Sequence, residues 1–337
     1  MTLNGRTANR RQNDRRKNVL VKATIMLILG LLLLVFAVLG WFALNKIAST
    51  TGMGIDAKDF PFEIEASGSA PSEYVRLFGL ADNTFSAGDQ QGNTSAFRTG
   101  STDKIWWRVD GNDDSSYKNG FRPGASGSLE FSIIPKDTNA QVVNCSFDIR
   151  AFVATENSTT GAIESMTEIT STSGTNAQKS ALNYLGGHIF FFENMNVVDG
   201  HEVYSGLIGA DGLNVSVPAG GASVSVTVYW KWVNTFDQMF LKTTDTYYDY
   251  PLIADNNTSD RTALTTYIQT NSSNIFSGLS SADSTAVGSI SYSSDHNNSS
   301  LLSALNDGYN AADQMIGVNL HYFLIEMNAT AGTNNAA

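Results

Sequence analysis

The stretch from Ala222 to Val233, ASVSVTVYWKWV, alternates apolar and polar side chains along nearly its whole length. Its alternating apolar members are Val224, Val226, Val228, Trp230 and Trp232. Side chains spaced by two residues point to the same face of a β-strand. The stretch is therefore predicted to be a strand that buries one face.

The same period recurs elsewhere in the chain. Residues 60–66, FPFEIEA, place Phe60, Phe62 and Ile64 on one face, and residues 129–133 alternate in the same way. Apolar runs that are predicted to be central strands lie at 104–109, 188–193 and 317–327. Because Gly-rich turn signals separate these segments, we predict an all-β protein with a jelly-roll-like β-sandwich.

Three short helices are predicted to accompany the sandwich. They lie at 177–185, 259–269 and 299–316, where apolar residues follow a helical period. Gly186-Gly187 is expected to end the first helix, and Gly317 the last. The Ser-, Thr- and Asn-rich stretches 156–176 and 270–297 are expected to be exposed loops.

An uncharged apolar segment runs from Ala23 to Leu44. At about 1.5 Å per residue a helix of this length spans about 33 Å, enough to cross a bilayer core of about 30 Å. The Lys and Arg residues before it favour a cytoplasmic N-terminus. We therefore predict a signal or transmembrane helix at 23–44 and an extracellular body.

The sequence leaves open whether this helix is cleaved. Val38-Leu39-Gly40 resembles a peptidase site ahead of Trp41. The apolar run is longer, however, than the roughly 7–15 residues of a signal peptide. A retained helix would tether the body to the membrane, whereas cleavage between Gly40 and Trp41 would release it.

The chain is thus divided into five parts, which differ in charge. The predicted parts are a basic cytoplasmic segment 1–22, the helix 23–44, a linker 45–52, a β-sandwich domain 53–330 and a flexible tail 331–337. Residues 1–46 hold eight of the 21 Lys and Arg residues and one of the 32 acids, which leaves a net charge of −18 for the remainder. An acidic body lacks the cationic face that phosphates require, so no nucleic-acid partner is expected.

Residues typical of catalysis do not form a recognisable set. The single cysteine, Cys145, allows no intrachain disulfide and is predicted to be a buried strand residue. HEVYS at 201–205 lacks the second histidine of a zinc-protease helix and reads as a strand. DGNDDSS at 110–116 lacks the Gly and the Glu of a calcium loop, which favours a solvated turn without excluding calcium. We therefore predict a protein that is not an enzyme and that has no cofactor or metal site.

Aromatic residues offer a different kind of site. Trp106, Trp107, Trp230 and Trp232 would suit a sugar-stacking platform, although Trp at strand positions more often lies in the core. In TDTYYDYP the candidate ligand-facing side chains are Tyr247, Tyr248 and Tyr250.

Four segments together resemble a known group of proteins. They are WFALNKIASTTGMGI (41–55), PGASGSLEFSIIP (123–135), VTVYWKWVNTFDQMF (226–240) and YNAADQMIGVNLHYFLIEM (309–327). With the basic leader they resemble the TasA/camelysin-like exported bacterial proteins, whose leaders are handled by a SipW-type signal peptidase. The resemblance implies a jelly-roll body and, for some members, matrix fibres in which an N-terminal strand completes the neighbouring subunit. Camelysin-type members are also described as metalloproteases, which the scattered histidines here do not support.

Two functions remain as alternatives. The first is a surface-anchored or matrix-forming structural protein that binds itself or another surface protein, with Phe60, Phe62 and Ile64 on a donated strand. That strand would otherwise be the first strand of its own subunit. The second is a surface adhesin or glycan-binding domain without catalytic activity.

Overall fold

In the described part of the computed structural model of the protein, two antiparallel β-sheets hold most of the residues that form regular secondary structure. The structure describes residues 61–66, 94–98, 104–109, 122–160, 163–245 and 250–332. Within these residues the strands are β1 (Phe62–Glu65), β2 (Thr94–Arg98), β3 (Lys104–Val109), β4 (Ser126–Pro135), β5 (Gln141–Glu156), β6 (Ile163–Ile169), β7 (Ile189–Val198), β8 (His201–Ile208), β9 (Leu213–Val217), β10 (Val224–Trp232) and β11 (Tyr322–Ala331). The five-stranded sheet has the order β1-β4-β10-β7-β8, and the six-stranded sheet has the order β2-β3-β11-β5-β6 with β9 beside β5. The predicted β-rich class is confirmed.

The two sheets face each other across one apolar core. Ring contacts cross the gap at three places: Trp107 to Phe131 at 6.2 Å, Phe147 to Phe191 at 5.2 Å and Trp232 to Phe323 at 6.3 Å. Strand β10 supplies Val228, Trp230 and Trp232, each at most 1% exposed, as its period of two predicts. The alternating stretches therefore form the inner layers of a β-sandwich.

Helices pack at two places, against the core between the sheets and on the outer side of the five-stranded sheet. They are α1 (Asn176–His188), α2 (Thr258–Asn271), α3 (Ser281–Val287), α4 (Tyr292–Asp295) and α5 (Ser299–Asn319), with 3-10 turns at Phe236–Met239 and Ser272–Asn274. A second core joins Phe190, Phe192 and Tyr204 of β7 and β8 to helix residues that include Leu264 and Leu305. This second core explains why α2 and α5 are amphipathic, because each helix buries one stripe of apolar side chains.

Two predicted helix ends are wrong. Helix α1 continues through Gly186 and Gly187 to His188. Gly187 lies against the main chain of Asn274, where a Cβ would come within 2.2 Å of the carbonyl oxygen. Glycine at position 187 therefore allows the helix to approach this main chain closely, and it does not end the helix. Helix α5 likewise runs past Gly317 to Asn319, and β11 begins only at Tyr322.

The two stretches expected to be exposed loops contain ordered elements. Residues 156–176 include β6, which pairs with the end of β5. Residues 270–297 include α3 and α4 and place four apolar side chains in the second core, namely Ile275, Phe276, Val287 and Ile290. A few apolar residues spread through a polar sequence are enough to hold these segments, although they produce no detectable period.

Candidate functional site

Strand β1 forms one edge of the five-stranded sheet. It pairs with β4 of the same chain in the register Phe62 to Pro135 through Glu65 to Ser132. The amide of Lys136 extends the ladder by donating to the carbonyl of Pro61 at 2.8 Å. Among the described strands, β4 is the sole sheet partner of β1.

The inner face of β1 fills part of the core between the sheets. Phe62 and Ile64 are both 0% exposed, and Ala66 is also buried. On the outer face, the Nζ of Lys136 lies 3.7 Å from the Oε1 of Glu63, in an ion pair that solvent screens. Strand β1 is therefore held by four residues that pair with β4 and by two apolar side chains that are buried in the core. Phe60, the third predicted plug, lies outside the described residues.

Strand β8 forms the opposite edge of the same sheet, and other segments cover it. The Tyr204 amide donates to the carbonyl of Leu252 at 2.9 Å, and Tyr204 forms a parallel bridge with Ile253. The amides of Gly206 and Leu207 donate to the carboxylate of Asp260, in the first turn of α2, at 2.7 and 3.2 Å. These contacts occupy main-chain donors that would otherwise be open to another strand.

A charged cluster holds the outer face of β8. The Oε2 of Glu202 accepts a hydrogen bond of 2.6 Å from the Tyr204 hydroxyl and one of 3.2 Å from the Nζ of Lys231. Burial alone would raise the pKa of Glu202, but these hydrogen bonds, the charge of Lys231 and a bond from Ser126 together lower it. The ionised carboxylate therefore favours the folded state.

Of the three candidate ligand-facing tyrosines, the structure describes one. The ring of Tyr250 is half-buried and stacks on His201, with 4.6 Å between centroids and 3° between planes. Tyr247 and Tyr248 lie outside the described residues. One face of the Tyr250 ring is thus already in contact with a neighbour, which leaves less of it for a ligand.

The membrane segment and its cleavage site also lie outside the described residues. This applies to the predicted helix 23–44 and to Gly40 and Trp41. In the part of the chain that the structure describes, no helix is both long enough and apolar enough to cross a bilayer. The prediction of an N-terminal membrane helix therefore stays a prediction.

The tryptophans divide between the core and the outer surface. Trp107, Trp230 and Trp232 are at most 2% exposed and belong to the core between the sheets. Trp106 lies on the outer face, where the guanidinium of Arg150 lies 4.8 Å from the centre of the indole ring. The Nε1 of Trp106 donates a hydrogen bond to Glu326. The four rings therefore do not form one platform.

Cys145 is 0% exposed, as predicted. Burial raises the pKa of its thiol to about 12, so the thiolate is suppressed at neutral pH. The stretch 201–205 belongs to β8, as expected, and the calcium-like stretch 110–116 lies outside the described residues. Among described residues, no group of three or more His, Cys, Asp or Glu side chains is arranged to hold a metal.

Sequence reasoning missed a buried polar cluster between the two cores. The Nδ1 of His188 lies 2.6 Å from an oxygen of Asp313, and its Nε2 lies 2.8 Å from the carbonyl oxygen of Ile275. The same Asp313 oxygen accepts the indole N–H of Trp232 at 2.9 Å, and the imidazole stacks on Tyr309 at 3.8 Å. Both ring nitrogens are engaged and His188 is fully buried, so the cluster joins α1, α5 and β10 and leaves no base open to a substrate.

A groove beside α2 was also missed. It has a volume of about 390 Å³ and lies between the side of α2 that carries Arg261, Thr262 and Thr266 and the segment from Ile290 to Ser293. Arg261 is 3% exposed, and its Nη1 has no hydrogen-bond partner among the described residues. The spacing of four residues between Thr258, Thr262 and Thr266 was the one signal that could have indicated a hydroxyl-lined helix face.

Comparisons with models of protein families, with curated proteins and with solved structures gave no match to this chain. The features that bear on function are therefore those of the molecule itself. They are the two unequal edges of the five-stranded sheet and the groove beside α2.

Proposed function

We propose that the protein is an exported structural protein, of the TasA/camelysin-like kind and with a jelly-roll-like body, that acts through protein–protein contacts. Residues 23–44 would hold it in the membrane with residues 1–22 in the cytoplasm and the β-sandwich outside. Cleavage between Gly40 and Trp41 would instead release it into a fibrous matrix. The two antiparallel sheets, between which the chain crosses repeatedly, support this kind of body.

The observation that carries the proposal is the construction of the β1 edge. A strand of four residues, held by one neighbouring strand among those described, inserts two fully buried side chains into the core. Few main-chain bonds need to break when such a strand leaves, while the Phe62 and Ile64 sites that it vacates are specific and apolar.

The proposed mechanism is exchange of β1 between copies of the chain. When β1 of one copy pairs with β4 of another, the same ladder bonds and the same apolar contacts form as within one chain. The exchange is therefore nearly neutral in contact energy, and protein concentration and the length of chain between β1 and β2 decide whether it occurs. A series of such exchanges in one direction would generate a fibre.

Cross-linking between differently substituted chains tests this exchange. Glu63 faces Ile134 across the β1–β4 ladder. Full-length chains that carry Glu63→Cys are mixed with chains that carry Ile134→Cys, assembled at high concentration and oxidised. We expect a disulfide-linked dimer of one chain of each kind, whereas a chain with both substitutions, kept dilute, closes its disulfide internally. The native Cys145 does not compete because it is buried.

A second pair in the same sheet provides the control. Thr227 faces Glu130 across the β10–β4 ladder. A mixture of Thr227→Cys and Glu130→Cys chains should give no linked dimer, because β10 is a central strand. If both mixtures cross-link equally, or if assembled Glu63→Cys and Ile134→Cys chains remain unlinked, strand exchange is not the mechanism.

A further inference from the structure

The groove beside α2 has walls that are rich in hydroxyl groups. Its lining includes four threonines of α2, which are Thr258, Thr262, Thr265 and Thr266, together with Ser291 and Ser293 on the opposite wall. Gln269, Ile290, Tyr292 and Arg261 complete it. A volume of about 390 Å³ lies near the small end of the range for ligand sites, which is roughly 300–1,000 Å³.

Three of the four threonine hydroxyls on this helix face already use their protons. Thr262 donates to the carbonyl of Thr258 at 2.7 Å, Thr265 to that of Arg261 at 2.7 Å, and Thr266 to that of Thr262 at 2.9 Å. A hydroxyl has one proton and two lone pairs, so each of these oxygens is left to accept. The wall therefore matches a ligand that brings several donors of its own.

One lining residue has an unused donor. The Nε and Nη2 of Arg261 donate to main-chain carbonyls, those of Ala254 and Leu241 among them, whereas Nη1 has no partner among the described residues. A buried donor without a partner is costly, but the accessible surface of Nη1 is below 1 Å² and the guanidinium lies 3.8 Å over the ring of Tyr292, so Nη1 is closed to a ligand in the groove. Recognition in the groove therefore rests on the hydroxyl oxygens of its wall.

The charges around the groove decide between a neutral and an anionic ligand. Asp255 lies 3.2 Å from the Nη2 of Arg261, and Asp245 also acts on this guanidinium. The charge of Arg261 is therefore largely offset within the protein, and residues 47–337 carry a net charge of −18. An anion would meet repulsion from these acids, whereas a neutral polyol would not.

We propose that the groove between α2 and residues 290–293 binds a neutral saccharide unit. Hydroxyl groups of a sugar donate to the side-chain oxygens of Thr262, Thr265 and Thr266. The apolar parts of the sugar pack against Ile290 and the ring edge of Tyr292. This site differs from the tyrosine segment at 247–250, and it does not depend on strand exchange.

Saturation-transfer NMR on the full chain tests the proposal. The protein is kept in a zwitterionic detergent, which has no sugar headgroup, and is titrated with glucose, galactose, N-acetylglucosamine, lactose and cellobiose. We expect saturable binding of at least one sugar and no displacement of it by inorganic phosphate. The double variant Thr262→Val and Thr266→Val keeps the side-chain shape and removes two acceptors, so it should weaken binding about tenfold.

The same helix supplies a matched control. Thr270 continues the threonine series, donating to the carbonyl of Thr266 at 2.8 Å, but it does not line the groove. Thr270→Val should leave the affinity unchanged while altering helix propensity in the same way. The proposal is overturned if none of the five sugars binds saturably, if phosphate displaces the bound sugar, or if Thr270→Val weakens binding as much as the double variant.

Discussion

The two edges of the five-stranded sheet are stabilised in opposite ways. At β8, polar contacts from elsewhere in the chain occupy the outward amides of Tyr204, Gly206 and Leu207. At β1, stabilisation comes from Phe62 and Ile64, which are buried inside the sandwich. Natural sheets avoid unwanted pairing by covering their edges. Other segments of the chain thus cover β8, whereas β1 pairs with β4 alone among the described strands, and the proposed exchange starts from this difference.

The largest effect is expected from removing an apolar plug of β1. Phe62→Ala leaves a cavity in the core between the sheets and should lower the free energy of unfolding by about 3–5 kcal/mol, as measured by urea denaturation. Glu63→Ala on the outer face should cost less than about 1 kcal/mol. The same Phe62 variant should also fail to assemble by strand exchange. Equal losses for the two variants would contradict the role given to Phe62.

The next largest effect is expected at the covered edge. Asp260→Ala leaves the amides of Gly206 and Leu207 without their acceptor, at a cost of about 1–3 kcal/mol. Hydrogen exchange at these two amides should become faster, and the uncovered edge should promote aggregation. Asp283 occupies the equivalent first-turn position of α3 and bonds to Ser280. Asp283→Ala is thus the control, and it should leave exchange in β8 unchanged.

A smaller effect is expected where β8 departs from regular pairing. Gly206 has a φ of +72°, and a Cβ there would lie 2.8 Å from the Cβ of Glu193. Gly206→Ala should therefore destabilise the protein by about 1–2 kcal/mol and slow the folding of the β7–β8 hairpin. At Gly209 a Cβ would have nothing within 4 Å. If Gly209→Ala is just as harmful in thermal unfolding, backbone strain at Gly206 is not the cause.

The smallest effect is expected for the part of the pH dependence of stability that comes from Glu202 on β8. Because the pKa of Glu202 is lowered in the folded protein, its contribution to stability is present above the ordinary pKa of 4.5 and is lost as the pH falls through the lower folded value. Glu202 is 37% exposed, so the contribution should be below about 1 kcal/mol. Glu202→Gln should remove this acid-sensitive part from the stability-against-pH curve. A curve that keeps its shape in the variant would assign the effect to other carboxylates.

Local periodicity predicted the alternating strands well, but it missed β6 and placed the helix ends poorly. Strand β3 was expected at 104–109 and spans Lys104–Val109, and β10 lies within the predicted alternating stretch. Gly187 and Gly317 were read as stop signals because glycine often follows a helix. Each lies inside a helix instead, and for Gly187 the reason is its contact with Asn274, which is remote in the sequence.

The candidate sites show the same division. The burial of Cys145 and of Phe62 and Ile64 could be predicted, because each belongs to an alternating stretch. The pairing of His188 with Asp313 could not, since 125 residues separate them and neither lies in a recognisable motif. The groove at Arg261 was missed for a similar reason, because its second wall comes from a segment that was expected to be a loop.

The sequence by itself determined which side chains of the alternating strands β1, β4 and β10 face the core, and it predicts a basic, then apolar, N-terminal region. Both are local properties, since they depend on the spacing of residue types along the chain. Only the tertiary structure decided that β1 pairs with β4, that Asp260 covers β8 and that α2 lines a groove. Those features depend on which distant segments satisfy one another's hydrogen bonds and bury one another's apolar faces. The spacing of residue types along the chain does not identify such partners.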